Sequence, residues 1–319
     1  MTDAAAGAPA VYLDGAFVAK SDARLSPDDR GFLFGDGVYE VARAVDGRFF
    51  ALDAHLARLA RGAAALALPL PAGGLNAVAV VWRALLARNA LGSGEAVVYC
   101  QITRGAALRS HQFPATTTPA TVYAYAQRLV PPDALRATGV ACVTYPDLRW
   151  GRCDLKTVNL LPNVLARQAA AAAGAFEAVL VRAAGEPDAD APLVGPDVPP
   201  PPEDGVVTEG SLSSVFALVD GTLRTHPAGA RILPGVTRAV VLELAAALGV
   251  PVREAACTLG ELRAADELFV ANTTADVLPV VTLDGRPIGD GRPGPVTRAL
   301  GDALAARVGR AGAPGGQAA

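Results

Sequence analysis

The spacing of apolar residues changes period several times along the chain, and each period predicts an element. Positions 11–18 alternate around Asp14-Gly15, the pattern of a hairpin. Residues 31–45 pass through Gly35-Asp36-Gly37 and read as a turn leading into a strand. Between 53 and 68, Leu56, Leu59, Ala63, Leu66 and Ala67 share one helical face, with Asp53 placed to cap the helix and Arg58 outside that face. A second helix is predicted over 76–91, stopped by Gly92, and strands over 95–103 and 121–126.

After a connector with Pro131-Pro132, the pattern restarts as a strand at 139–145. A helix over 162–173 carries Pro162 in its first turn and Gly174 behind it. Strands are predicted over 176–182, 213–219, 267–271 and 277–281, and a helix over 236–248 before Gly249. Residues 183–205, rich in proline, aspartate and glycine, predict an exposed loop, and 311–319 a loose tail. Strands and helices mixed in both halves indicate an α/β (α+β) protein. The expected division is an N-terminal α/β domain at 1–128, a connector at 129–137, a C-terminal domain at 138–310 and the tail.

Composition removes several classes of function. The chain has 319 residues, 51 % of them hydrophobic, and a formal net charge of −3 without a long run of one sign. No basic stripe calls for nucleic acid, and no stretch is long and apolar enough for a bilayer. The start of the chain lacks the basic-then-apolar shape of a signal peptide. Cys100, Cys142, Cys153 and Cys257 are scattered, with no metal-ligand spacing, so a reduced, cytoplasmic setting is expected.

One count is sharper. Of 28 basic residues only Lys20 and Lys156 are lysine. Arginine stays protonated and forms no imine, whereas a desolvated lysine attacks a carbonyl. Lys20 stands beside turn-like Ser21-Asp22 in a polar stretch; Lys156 stands among apolar residues.

Four other segments supply what a lysine of this kind works with in a pyridoxal-phosphate enzyme. Glu209, followed by Gly210, offers a carboxylate for a pyridine nitrogen, with a glycine that admits close approach. Leu233-Pro234-Gly235-Val236-Thr237-Arg238 opens a predicted helix, whose free N–H groups suit a phosphate, and Asn272-Thr273-Thr274 offers further donors. Arg109 and His111, two apart after a strand, form a fork and an imidazole for a carboxylate. Taken singly, each has a plainer reading: a turn lysine, a turn glutamate, an ordinary helix start, a solvated loop arginine. Arg58 is either solvated or within reach of the phosphate.

Order and spacing make the set specific. With residues 29–41, from Asp29-Arg30-Gly31 through Gly35-Asp36-Gly37 to Tyr39, these segments resemble the class IV, or fold-type-IV, aminotransferases over about residues 11–300. The resemblance, strongest to the D-amino-acid enzymes, implies a two-domain fold with the smaller domain first, pyridoxal 5'-phosphate as cofactor, and Lys156 as the catalytic amine. It implies that Tyr39 joins Arg109 and His111 in a carboxylate trap completed across a homodimer. It assigns Arg58, Thr237 and Thr273 to the phosphate, with Gly235, Val236 and Thr274 beside them, and Leu233 to the cofactor ring. Leu212 departs from a small polar residue, and 183–205 is longer than the family's turn. The implied activity is transfer of an amino group from a D-amino acid to a 2-oxo acid such as 2-oxoglutarate. Branched-chain transamination, aminodeoxychorismate lysis and R-selective amine transamination are the alternatives on the same fold, and a non-enzymatic binding protein is the alternative outside it.

Overall fold

The computed structural model describes residues 8–184, 192, 193, 195 and 198–310. Contacts divide the chain into two compact units, Met1–Val130 with Leu155–Asn159, and Pro131–Asp154 with Leu160–Ala319.

In the first unit the chain runs β1 (Ala10–Leu13), β2 (Ala16–Ala19), α1 (Arg30–Phe34), β3 (Gly37–Val45), β4 (Arg48–Phe49), α2 (Leu52–Ala65), α3 (Gly74–Arg88), β5 (Glu95–Thr103) and β6 (Thr121–Arg128). The strands form one antiparallel sheet in the order β2-β1-β6-β5-β3-β4. Strand periodicity sorts its faces. Val38, Ala42, Ala96, Val98, Cys100, Ile102 and Ala124 are buried with Leu56, Leu59, Trp82 and Leu85 of α2 and α3. The next positions along the same strands put Tyr39, Tyr99, Gln101 and Tyr125 on the opposite face. Small alanines on the helix side let α2 and α3 lie close to the sheet.

The strand predicted over 95–103 is observed with those ends, and the hairpin at Asp14-Gly15 also forms. The helix predicted from Asp53 begins one residue earlier, after Ala51 at a left-handed φ of 49°, and Asp53 lies in its first turn instead of capping it. The turn expected before β3 contains a short helix, α1, capped by Asp29.

In the second unit the order is α4 (Asp133–Thr138), β7 (Val140–Pro146), α5 (Leu161–Ala172), β8 (Glu177–Arg182), β9 (Val206–Gly210), β10 (Ser214–Val219), β11 (Thr222–Thr225), α6 (Val236–Ala247), β12 (Val252–Glu254), α7 (Leu259–Arg263), β13 (Glu267–Asn272), β14 (Asp276–Leu283), β15 (Arg286–Pro287) and α8 (Pro295–Val308). The mixed sheet runs β12-β11-β10-β13-β14-β7-β8-β9, with β15 added to β14. Val179, Val181, Val215, Ala217, Val270, Leu278, Leu259 and Leu262 share one core, and Tyr145, Ala166, Ala170 and Leu180 another. Phe216 and Phe269 are directly paired across β10 and β13 and stack at 4.8 Å.

In this unit the sequence pattern misses α4, inside the expected connector, and β9, β11, β12, α7, β15 and α8. The loop expected over 183–205 is not exposed throughout. Pro201 and Gly205 are buried, Val198 packs beside Tyr145, and the Tyr145 hydroxyl donates to the Leu193 carbonyl. The rest of that expectation, at 185–191, 194, 196 and 197, and the tail at 311–319 lie outside the described residues.

Candidate active site

Lys156 sits in the segment that leaves the second unit to pair with β3. The Tyr39 N–H donates to the Lys156 carbonyl at 2.9 Å, and the Val158 N–H donates to the Gly37 carbonyl at 3.0 Å. These bonds fix the lysine main chain as an extra strand edge. Its amine donates to the Tyr39 hydroxyl at 3.1 Å and lies 4.2 Å from the centre of that ring. The Tyr39 ring stacks on Tyr99 at 5.5 Å, and Tyr99 on Tyr125 at 5.2 Å, so an aromatic row extends from the amine across the open sheet face. Lys20 lies over the Tyr125 ring at 5.4 Å, at the far end of that row.

Arg109 and His111 follow β5 on an exposed loop. Both contact the Phe34 ring, and no hydrogen bond joins either to Tyr39 among the described residues. Arg58 is corrected in its position. It is buried, not off the core side of α2, and its Nε and Nη2 donate to the Glu40 carboxylate at 2.8 and 2.6 Å, with His55 Nδ1 at 3.1 Å. Burial alone would raise the Glu40 pKa; the Arg58 guanidinium and His55 override it and hold the group down to about 2.

In the second unit Glu209 lies in β9 and is buried. The Leu233 N–H reaches its two oxygens at 3.1 and 3.2 Å, and Arg149 Nη1 donates to Oε1. Arg149 is gripped from behind by Asp147, through Nε at 2.9 Å and Nη2 at 3.0 Å, and Thr208 donates to Asp147 at 2.8 Å. Burial pushes Glu209 up to about 7, against the downward pull of Arg149 and the Leu233 N–H. Asp147 is held below the ordinary carboxylate range because the hydrogen bond and charge of Arg149 outweigh its burial.

A second buried carboxylate shapes the turn that follows. Glu177, in β8, accepts from the hydroxyls of Ser211 and Ser213 and from the Leu212 N–H, while Asn163 of α5 donates to the Ser211 carbonyl at 2.7 Å. A Cβ on Gly210 would collide with Ser213 Oγ, so the close approach there is the chain's own. The Leu212 side chain, the departure from a small polar residue, is exposed.

The predicted phosphate cup is the N-terminus of α6. Its cap residue, Gly235, supplies no side-chain acceptor, and a Cβ there would come within 3.2 Å of Ser214 Oγ. Val236 and Thr237 are buried in the first turn. Ser214 pairs with Ala271 near the end of β13, two residues before Thr273. The neighbouring Thr274 turns its N–H and hydroxyl to Asn272, at 2.9 and 3.1 Å, so Thr273 is the candidate donor of that turn.

Arg149, Asp147 and Glu177 were not singled out by the sequence. An Asp-x-Arg pair just after a strand and before Lys156 was the available signal for the first two; Glu177 had none, because its partners lie beyond 183–205.

The family model for amino-transferase class IV matches residues 37–192 and 201–283. The D-alanine aminotransferase of Bacillus licheniformis is 39 % identical over 294 residues, covering 92 % of this chain and 95 % of its own. That of Staphylococcus aureus (strain MSSA476) is 39 % identical over 290 residues, covering 91 % and 94 %. Among solved structures, the Escherichia coli branched-chain amino acid aminotransferase superposes with a TM-score of 0.79 at 24 % identity over 93 % of this chain and 94 % of its own, a likeness of fold. The fold IV-transaminase of Curtobacterium pusillum gives 0.73 at 26 % identity over 92 % of this chain and 93 % of its own. Motifs, fold and relatives agree across both units: this chain belongs to the class IV aminotransferases.

Proposed function

We propose that this aminotransferase depends on pyridoxal phosphate and moves the amino group of a D-amino acid to a 2-oxo acid, with 2-oxoglutarate as the expected acceptor. The observation that carries the substrate hand is the 39 % identity over 92 % of the chain with a D-alanine aminotransferase.

The donor set fits the cofactor. Glu209 is a buried carboxylate poised near neutrality, and a protonated ring nitrogen beside it would supply the compensation that burial withholds. The bare α6 N-terminus at Gly235 and Val236, with the Thr237 hydroxyl and Thr273, offers donors for a phosphate dianion. Arg58, held on one edge by Glu40, is the cation proposed for the same group, and Leu233 the apolar side chain for the ring. When bound, pyridoxal phosphate supplies the electron sink that makes the substrate Cα–H acidic. Lys156 is the base that moves that proton, oriented by the Tyr39 hydroxyl. Tyr39, Arg109 and His111 hold the α-carboxylate. Arg149 and the Leu233 N–H favour the ionised form of Glu209 and aim it.

The proposed working unit is a homodimer in a reducing, cytoplasmic setting. Phe32, Leu108 and Phe113 are 78 %, 91 % and 62 % exposed on the unit that carries Arg109 and His111, a cost in water that a second copy would remove. All four cysteines are free and buried. Sedimentation as a monomer would overturn the dimer.

The test of the activity is amino transfer from D-alanine to 2-oxoglutarate, with the visible absorption recorded before and after D-alanine and then L-alanine. Transfer from D-alanine alone supports the proposal. Transfer confined to L-leucine or L-valine moves the chain to the branched-chain reading, and pyruvate release from aminodeoxychorismate without a second oxo acid moves it to the lyase reading.

A further inference from the structure

The loop that carries Arg109 and His111 has little regular structure of its own, and an exposed arginine on such a loop has many rotamers to lose before it can hold a carboxylate. Something must restrain it, and α1 lies against it. Arg30, at the start of α1 and buried, binds Asp36 Oδ2 through Nε at 2.9 Å. Its Nη1 donates to the carbonyls of Ser110 and Gln112 at 2.6 and 3.3 Å, the two residues that flank His111. Phe34, at the end of α1, faces three partners: the Arg30 guanidinium at 4.7 Å, the Arg109 guanidinium at 5.3 Å and the His111 ring at 5.6 Å, tilted by 61°.

α1 is itself well anchored. The Asp29 side chain caps it at the Gly31 N–H, 2.8 Å, and accepts from the Thr103 hydroxyl at 2.8 Å, tying the helix to the end of β5. Arg104 braces the loop on its other side. It chelates Asp36 through Nε and Nη2 at 2.8 and 3.0 Å, and its guanidinium lies 3.6 Å from the Phe113 ring. Asp36 therefore joins the two arginines that grip the loop.

We propose that Arg30 and Phe34 are positioning residues for substrate: Arg30 fixes the main chain on either side of His111, and the Phe34 ring is the shelf on which the Arg109 and His111 side chains are held. This rests on the reading of Arg109 and His111 as carboxylate binders and adds what orients them. A guanidinium held against an aromatic ring is restrained without its donors being spent, and loses less freedom when an anion arrives.

The test compares Phe34→Leu with Phe34→Tyr in the cofactor-loaded enzyme. Phe34→Leu should raise KM for both D-alanine and 2-oxoglutarate about tenfold and change kcat less than about twofold, with the melting temperature unchanged. Phe34→Tyr, which keeps the ring, should match the parent. In an Arg109→Ala/His111→Ala background Phe34→Leu should add nothing, because both groups it positions are gone. An equal KM increase in both backgrounds, or no increase in either, overturns the proposal while leaving the carboxylate reading intact. A neutral Arg109→Ala overturns the carboxylate reading, and the positioning role with it. Independently of activity, Arg30→Lys should speed hydrogen exchange at the amides of 106–113 and leave β5 unchanged, since a single ammonium cannot hold Asp36 and reach both carbonyls as the separate Nε and Nη1 of Arg30 do. Unaltered exchange in that loop overturns the role of Arg30.

Discussion

Lys156 and Tyr39 hold each other twice: the tyrosine N–H donates to the lysine carbonyl at 2.9 Å, and the lysine amine donates to the tyrosine hydroxyl at 3.1 Å. The main-chain bond sets the distance between the two residues; the side-chain bond sets where the amine points. Tyr39→Phe keeps the first bond and the ring and removes the second. It should lower kcat by about 10²-fold and leave thermal stability nearly unchanged, measured by steady-state transfer beside a melting curve. An equal loss in the melting temperature would mean that the hydroxyl holds the fold and not the amine.

Lys156→Arg is the sharper variant at the other partner. It keeps a long basic side chain beside Tyr39 but not an amine that can lose its proton. Transfer should fall by about 10⁴-fold or more, as with Lys156→Ala. Activity retained by the arginine variant, in single-turnover absorption, would remove Lys156 from the chemistry.

Glu209 makes a statement about pH. Burial raises its pKa from 4.5 to about 7 in the folded chain, so folding favours the protonated form. The cofactor-free protein should therefore carry this carboxyl without penalty below about pH 4.5, and lose stability as pH rises from there through about 7, by roughly 3 kcal/mol at most. Glu209→Gln should flatten that dependence. The check is the urea midpoint at pH 5 and pH 8; a slope unchanged by the substitution assigns it elsewhere.

Glu40 has the opposite sign. Arg58 and His55 hold it down to about 2, so its contribution is present above about pH 4.5 and disappears as pH falls through about 2. Glu40→Gln leaves the buried Arg58 without its carboxylate and should cost about 3–5 kcal/mol. Arg58→Met added to Glu40→Leu should recover much of that loss. A double-mutant cycle of Glu40→Leu and Arg58→Met, read by chemical denaturation, measures the pair.

Period alone located most long elements, because Val97, Ala126 or Leu59 reports its neighbours through one residue's spacing. It failed at α4, α7 and β12, which are too short to complete a pattern, and at β9, which follows proline-rich chain. The same limit applies to chemistry. Lys156, Glu209 and Gly235 were legible from residue type and position. The core-side position of Arg58 is not legible from α2 alone, because a helical wheel does not include Glu40 on the facing strand. The grip of Glu177 on Ser211 and Ser213 depends on how β8 and β9 are paired, and that register is written in no local run of sequence.

That pairing has a consequence for the long connection between the two strands. Val181 with Val207, and Arg182 with Val206, close its feet before the chain departs. Lengthening a chain between fixed feet costs only logarithmically, about 0.6 kcal/mol for each doubling. Chain length added between these feet would therefore leave the alignment of Glu209 in β9 unchanged, because Val206 and Val207 keep their partners on β8.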